Sequence, residues 1–312
     1  MNNDFLFVEK YAPSKVEDCI LPQTLASYFS DVVKTKKLQN MILTGSSGVG
    51  KTSTIRALAK ELNCDYMEIN GSDERSIDTI RNKVKTYSTS VSLSNKSKKI
   101  LLIDEADNLT YDAQLALRGV IERAQKNCTF VYTCNYKNRI FEPLHSRTVT
   151  IDFTIPSKEK PEIAAKFYKR CIEILSKENL TYDQDAVAKL VQKHFPDFRK
   201  TLNELQRYSL SGKIDIGILA NASDIKVSNL IKSMKSKDFF GVRNWVVQNL
   251  DNDSSMIFRK LYDSLYESAI ARTIPSSILI IAKYMYQSNF VMDQEINMIA
   301  CLSELMCEVE WK

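Results

Sequence analysis

Residues 45–52 read Gly45-Ser46-Ser47-Gly48-Val49-Gly50-Lys51-Thr52 and satisfy the pattern G-x-x-x-x-G-K-[ST] at every required position. The apolar run Met41-Ile42-Leu43 precedes it and a helix-length segment, 52–62, follows it. Strand, glycine-rich loop and helix are the context in which this pattern binds phosphate. Glycines let backbone N–H groups curl around a phosphate, and the helix N-terminus adds partial positive charge. The spacing therefore predicts that this loop binds the phosphates of a nucleotide, ATP with Mg²⁺. Lys51 would reach the β- and γ-phosphates, and the Thr52 hydroxyl would ligate the cation.

Outward from this loop, short apolar runs recur at Tyr66-Met67-Glu68-Ile69, Ile100-Leu101-Leu102-Ile103, Thr129-Phe130-Val131-Tyr132 and Val149-Thr150-Ile151. Helix-length segments at 77–87 and 113–124 separate them. Strands alternating with helices predict an α/β domain with a parallel sheet covered on both faces. The third run leads into Asp104-Glu105-Ala106-Asp107. Carboxylates at the end of a buried strand stand where ligands of open α/β sheets bind. Asp104 would hold Mg²⁺ through water, and Glu105 would act as general base toward the attacking water. Asn135, just after the following strand, is a candidate for orienting that water or sensing the γ-phosphate.

Beyond Pro156 the pattern is helical throughout, with helices expected over 158–178, 183–194 and 197–210. In the last third Pro275 opens a helix on which Ile278, Ile281, Ala282 and Met285 share a face. A final helix carries Ile296, Ile299, Leu302, Leu305, Met306 and Val309 at threefold and fourfold spacing. The expected division is residues 1–155 for the nucleotide domain, 156–222 for an all-α second domain and 223–312 for an all-α third.

The 312 residues carry 43 Lys and Arg against 38 Asp and Glu, a net charge of +5 that permits a polyanionic partner without requiring one. No segment has the length or apolarity of a spanning helix, and the first residues lack the form of a signal peptide, so a soluble cytoplasmic protein is expected. Seven cysteines without a Cys-x-x-Cys pair, and two histidines, supply neither a zinc site nor a Ser-His-Asp triad. Reduced, packed thiols are the expected state.

Further motifs extend along the chain: Glu9-Lys10-Tyr11-Ala12-Pro13, Cys19-Ile20-Leu21-Pro22, Asn70-Gly71-Ser72-Asp73, Pro143-Leu144-His145-Ser146-Arg147, Phe195-Pro196-Asp197-Phe198-Arg199-Lys200-Thr201 and Cys307-Glu308-Val309-Glu310-Trp311-Lys312. With the phosphate loop and the Asp-Glu-Ala-Asp box, they resemble the AAA+ ATPases of the clamp-loader group, in particular the large subunits of T-even-type bacteriophage loaders. The resemblance implies an AAA+ domain, an all-α lid and an all-α collar that mediates oligomerisation. It implies an adenine pocket lined by Val8, Glu9, Lys10, Tyr11 and Ile20, phosphates cradled by Gly48, Val49, Gly50, Lys51, Thr52 and Ser53, a first sensor at Asn135 and a second at Arg199. Arg147 would be an arginine finger reaching the neighbouring subunit's site. Ser146-Arg147-Thr148 stands where the family usually has Ser-Arg-Cys, and Tyr11-Ala12-Pro13 lacks the family's arginine. The resemblance also implies a hetero-pentamer of four copies with one smaller subunit, a sliding clamp, primer–template DNA and a single-strand-binding protein as partners, and no membrane.

Between Arg75 and Lys99 stand seven basic residues and one acidic residue, Asp78. Arg81 and Lys85 are four apart and share a helical face. In clamp loaders this helix follows the DNA backbone, so Arg75, Arg81, Lys83 and Lys85 are expected to meet phosphates, with Arg75 at the position that pairs with the catalytic glutamate until DNA arrives. A protein remodeller with the same core would want an aromatic–apolar–Gly pore loop, yet residues 76–99 hold Tyr87 as their sole aromatic and no glycine. A non-hydrolysing scaffold would be expected to have lost some of Lys51, Thr52, Asp104, Glu105 and Arg147.

Overall fold

The computed structural model describes residues 5–73, 77–90, 98–124, 127–209, 213–214, 227–250, 254–288 and 290–312. They form two compact units, residues 1–219 and 220–312.

The first unit is built on a five-stranded parallel sheet of β1 (Met41–Thr44), β2 (Asp65–Asn70), β3 (Lys99–Asp104), β4 (Cys128–Cys134) and β5 (Val149–Asp152), in the order β2-β3-β4-β1-β5. All pairings are parallel, with Ile103 opposite Tyr132 and Thr44 opposite Cys134. A parallel sheet is covered on both faces, which is why β1 is buried at all four positions. Alternate residues divide between two cores. Ile42, Leu101, Ile103, Phe130 and Tyr132 pack with Val84 of α4 (Ile77–Thr89) and Leu117 and Ile121 of α5 (Tyr111–Ala124). Met41, Leu43, Ile100, Leu102 and Val131 pack with Phe29 of α2 (Gln23–Thr35) and Ile55 and Leu58 of α3 (Lys51–Glu61). The short α6 (Glu142–His145) packs beside α5, whereas the N-terminal α1 (Phe7–Lys10) packs on the helix Phe198–Ser209.

In the same unit α7 (Lys160–Lys177), α8 (Gln184–His194) and α9 (Phe198–Ser209) enclose a separate core of Phe167, Cys171, Leu175, Leu190 and Leu205. Asp183 caps α8 by accepting from the Asp185 N–H at 2.8 Å. Two residue pairs, β6 (Thr181–Tyr182) and β7 (Lys213–Ile214), form a small parallel sheet that the helical reading omits. Residues 210–212, where the third helix is expected to stop, lie outside the described residues.

The second unit contains α10 (Val227–Lys235), α11 (Phe239–Asn249), α12 (Ser254–Ser268), α13 (Ile274–Gln287) and α14 (Gln294–Glu308) around Leu230, Met234, Val242, Phe258, Leu261, Leu265 and Leu302. The inward face of α13 differs from the expected one. Ser277, Ile280 and Ile281 are buried, while Ala282 and Met285 are exposed. On α14 the expected residues Leu302, Leu305 and Met306 are buried, and the departure is at Ile296, which is 67% exposed. A helix that is apolar nearly all round has no single stripe to mark its core side, so periodicity selects the wrong one. All seven cysteines are free thiols. Among the described residues no helix is long and apolar enough to cross a membrane.

Candidate nucleotide-binding and hydrolysis site

The neighbouring strands β3, β4 and β1 end side by side, which brings Asp104, Asn135 and the phosphate loop to one edge of the sheet. The loop's glycines take backbone angles that other residues avoid, φ +75° at Gly48 and +92° at Gly50, the N-cap of α3. Lys51 opens α3 and is buried. Its Nζ donates to the carbonyls of Gly45 at 2.8 Å and Ser46 at 2.9 Å and to Asn135 Oδ1 at 3.0 Å. Burial holds the Lys51 pKa below its ordinary value, Arg199 acts in the same sense, and the Asp104 carboxylate opposes both. A buried cation among carbonyl dipoles at a helix N-terminus is prepared for an anion.

Asp104 Oδ1 accepts from Thr52 Oγ1 at 2.7 Å and also from the Thr133 hydroxyl. Glu105 stands at φ +52° with its N–H on Thr133 Oγ1 at 3.0 Å. Its carboxylate accepts from the Ser72 hydroxyl and from Asn108 Nδ2 at 3.2 Å. Gly71 sits so close that a Cβ there would lie 2.6 Å from the Glu105 carbonyl oxygen. Asp107 Oδ2 accepts from the backbone N–H groups of Asn135 and Tyr136, both at 3.1 Å, and ties this loop to the end of β4.

Val8, Glu9, Tyr11, Ile20, Gly48 to Ser53, Asp104, Glu105, Asn135 and Arg199 all border one cavity of about 510 Å³. Its lining also includes the apolar Phe167, Phe198 and Leu202 beside the polar Lys51, Thr52, Asp104 and Arg199. Size and polarity match what an adenine nucleotide needs: a flat apolar base at one end and phosphates at the other. The residues fit Mg²⁺ as well, since the Thr52 hydroxyl and Asp104 carboxylate are hard oxygens side by side. Among the described residues no group of three or more His, Cys, Asp or Glu is placed to hold a metal ion.

Two expected residues stand elsewhere. Lys10 does not border the cavity. It extends from α1 to Glu178 at 2.6 Å, a carboxylate at the end of α7 that also accepts from the Tyr11 hydroxyl. Arg147 lies outside its own cavity, with Nε and Nη2 on Glu122 Oε1 at 2.9 and 2.5 Å and Nη1 on the Pro143 carbonyl at 2.8 Å. On α4, Lys83 and Lys85 are exposed while Val84 between them is buried. Arg75 and the side chain of Arg81 lie outside the described residues. Lys99, counted with this basic stretch, is buried and donates to the Tyr87 carbonyl at 3.0 Å. Sequence reading assigned no role to Thr133 or Asn108, nor to Ser72 and Asp107, although it quoted the motifs that contain these last two.

Residues 41–156 match the family described as "ATPase family associated with various cellular activities (AAA)", and residues 159–220 match "Sliding-clamp-loader large subunit, AAA+ ATPase lid domain". The chain is similar to the sliding-clamp-loader large subunit of Escherichia phage RB69, 34% identical over 100% of this chain and 98% of that one. It is also similar to the replication factor C small subunit of Archaeoglobus fulgidus, 32% identical over 89% of this chain and 88% of that one. Among solved structures, the Thermotoga maritima RuvB Holliday junction branch migration motor shares the fold at TM-score 0.52 and 17% identity, covering 86% of this chain and 85% of the other. The matched AAA region, the lid and end-to-end similarity to the RB69 protein lead to one conclusion: the chain belongs to the sliding-clamp-loader large-subunit family of AAA ATPases.

Proposed function

We propose that this chain is the motor subunit of a sliding-clamp loader, hydrolysing ATP when it meets primer–template DNA. ATP binding opens a ring-shaped clamp, the assembly carries the open ring to DNA, and hydrolysis releases it. The working parts are residues 1–155 as motor, 156–222 as lid and 223–312 as the collar that joins four copies to one smaller subunit. The partners are the clamp, primer–template DNA and a single-strand-binding protein, in the host cytoplasm.

At the site, Lys51 and the loop N–H groups hold the phosphates, Asn135 and Arg199 contact the γ-phosphate, and Thr52 and Asp104 hold Mg²⁺. When bound, the cation neutralises charge on the β- and γ-oxygens. Glu105 takes a proton from water as the water oxygen bonds to the γ-phosphorus. The bond to the β–γ bridging oxygen breaks, and ADP leaves with its electron pair. Ser72 and Asn108 keep the Glu105 carboxylate engaged until DNA on α4 releases it, with Arg75 in the same role. Arg81, Lys83 and Lys85 supply charge to the phosphate backbone, so binding is sequence-independent and weakens with salt.

One observation carries this reading: Arg147, held at the surface by Glu122, borders no part of its own cavity. A guanidinium so placed serves a neighbour's γ-phosphate, where such a group contributes about 10³–10⁵ in rate. The test is steady-state ATPase against protein concentration, with and without primer–template DNA, for wild type and Arg147→Ala. A rate per chain that rises with concentration and DNA and collapses in the variant supports shared sites. A rate indifferent to all three, with the small subunit and clamp present, rejects them.

A further inference from the structure

Thr133 sits in β4 at 1% exposure, between the two acidic residues of the site. Its hydroxyl has one proton to give. Asp104 Oδ1 only accepts, and the Glu105 N–H only donates at 3.0 Å, so the polarity of the pair of bonds is determined. Thr133 thereby donates to the cation ligand and accepts from the peptide of the general base.

Glu105 needs such an anchor. It is not glycine, yet it stands at φ +52°, a conformation that side chains other than Asn, Asp and Gly seldom adopt. Strained backbone persists where its surroundings over-determine it. Here the Glu105 carbonyl accepts from the Asn108 N–H at 3.0 Å and lies against Gly71, where no side chain would fit. The N–H side depends on Thr133. If that peptide turned, the carboxylate would swing away from the γ-phosphate end of the cavity, although Lys51 and the phosphate loop stayed in place.

We propose that Thr133 is a positioning residue for hydrolysis, fixing the Glu105 peptide from the neighbouring strand so that the carboxylate addresses the attacking water. The assignment rests on Glu105 as general base. Thr133 lines the cavity, but its hydroxyl is committed to Asp104 and to the Glu105 peptide, so it acts through Glu105.

The test uses the full chain with its partner subunit, clamp and primer–template DNA, reading kcat, KM, ATP affinity and half-saturating Mg²⁺. Thr133→Val keeps shape and strand preference while deleting the hydroxyl. It is expected to lower kcat by roughly tenfold to a hundredfold, part of the 10²–10⁴ that a positioned base contributes, with ATP affinity within about twofold. Thr133→Ser keeps both bonds and restores the rate to within about threefold. Thr133→Ala, a second hydroxyl deletion, gives the same loss if Thr133→Val is too unstable to assay. In Glu105→Gln, adding Thr133→Val has no further effect, because residues acting through one group are not additive. A wild-type rate for Thr133→Val beside an inactive Glu105→Gln overturns the proposal and leaves the base intact. A wild-type rate for Glu105→Gln removes base and proposal together. A deficit recovered by raising Mg²⁺ assigns the hydroxyl to Asp104 instead, and parallel losses of thermal stability and ATP affinity make it structural; either outcome also overturns the proposal.

Discussion

Gly48 of the phosphate loop and Asp197 of the lid meet with no room for a side chain: a Cβ on Gly48 would fall 1.8 Å from Asp197 Oδ1. The adjoining backbone is bonded too, with the Phe198 N–H donating to the Gly48 carbonyl at 3.1 Å. Gly48→Ala therefore meets two obstacles, a left-handed φ of +75° and the lid carboxylate. ATP affinity should fall at least tenfold by titration. Asp197→Ala relieves the second obstacle but removes the bond to the Lys200 N–H at 2.9 Å that caps α9. It should destabilise the lid by about 1 kcal/mol in urea unfolding and leave ATP binding measurable. Equal affinities for Gly48→Ala and wild type would show that lid and loop do not share this point.

The segment before Val8 is tied to the lid by the Gln206 side chain. Gln206 Oε1 accepts from the Phe7 N–H at 2.9 Å, and its Nε2 donates to the Phe5 carbonyl at 2.6 Å. Gln206→Leu keeps the volume and removes both bonds. KM for ATP is expected to rise roughly tenfold, with kcat unchanged, because only ground-state binding is lost. A fall in kcat at constant KM would place Gln206 in the chemical step instead.

Glu122 restrains Arg147 on a single chain, and the arginine holds the Glu122 carboxyl below its usual range. Glu122→Gln weakens an exposed pair, so the thermal midpoint of the isolated chain should not move. The assembled rate should respond instead. On the proposed role at a neighbouring site, Arg147 released from Glu122 changes the concentration dependence of ATPase, whereas Arg147→Ala abolishes the shared-site contribution. Mixing Arg147→Ala with a Glu105→Gln chain distinguishes donor from acceptor sites.

Stability at alkaline pH follows from the thiols. Burial pushes Cys19 to about 11 and Cys128, Cys171 and Cys301 to about 12, from an ordinary value near 9. A raised folded-state value favours the neutral thiol, so this stabilisation is complete below pH 9 and lost as pH rises through 11 to 12. Lys51, held low by burial, acts in the opposite sense, whereas burial also raises Cys134, Tyr66, Tyr87 and Tyr132, which add to the effect of the four thiols. Urea midpoints should be flat up to about pH 9 and fall above it; a rise over that range would refute the assignment. At pH 8 alkylation should reach the exposed Cys307 first, and ATP should slow the reaction of Cys19, which borders the cavity.

The sheet, its helices and the phosphate loop were legible because each has a local cause. Buried parallel strands need continuous apolar runs, as at Ile100–Ile103, and the loop needs glycine at Gly48 and Gly50 where φ is positive. Lys51, Thr52, Asp104 and Glu105 could be named for the same reason: strand end and helix start are readable from neighbours in the chain. What tertiary structure decided is what distant segments do to one another. Thr133 reaches Asp104 and Glu105 only because β4 lies beside β3, and Ser72 meets Glu105 across 33 positions of sequence. Lys10 turns to Glu178 across 168 positions, and α13 chooses Ile280 over Met285 as its inward residue. Spacing along a chain reports the period of one element. The choice among its faces, and the partner of each polar group, is made by the element packed against it.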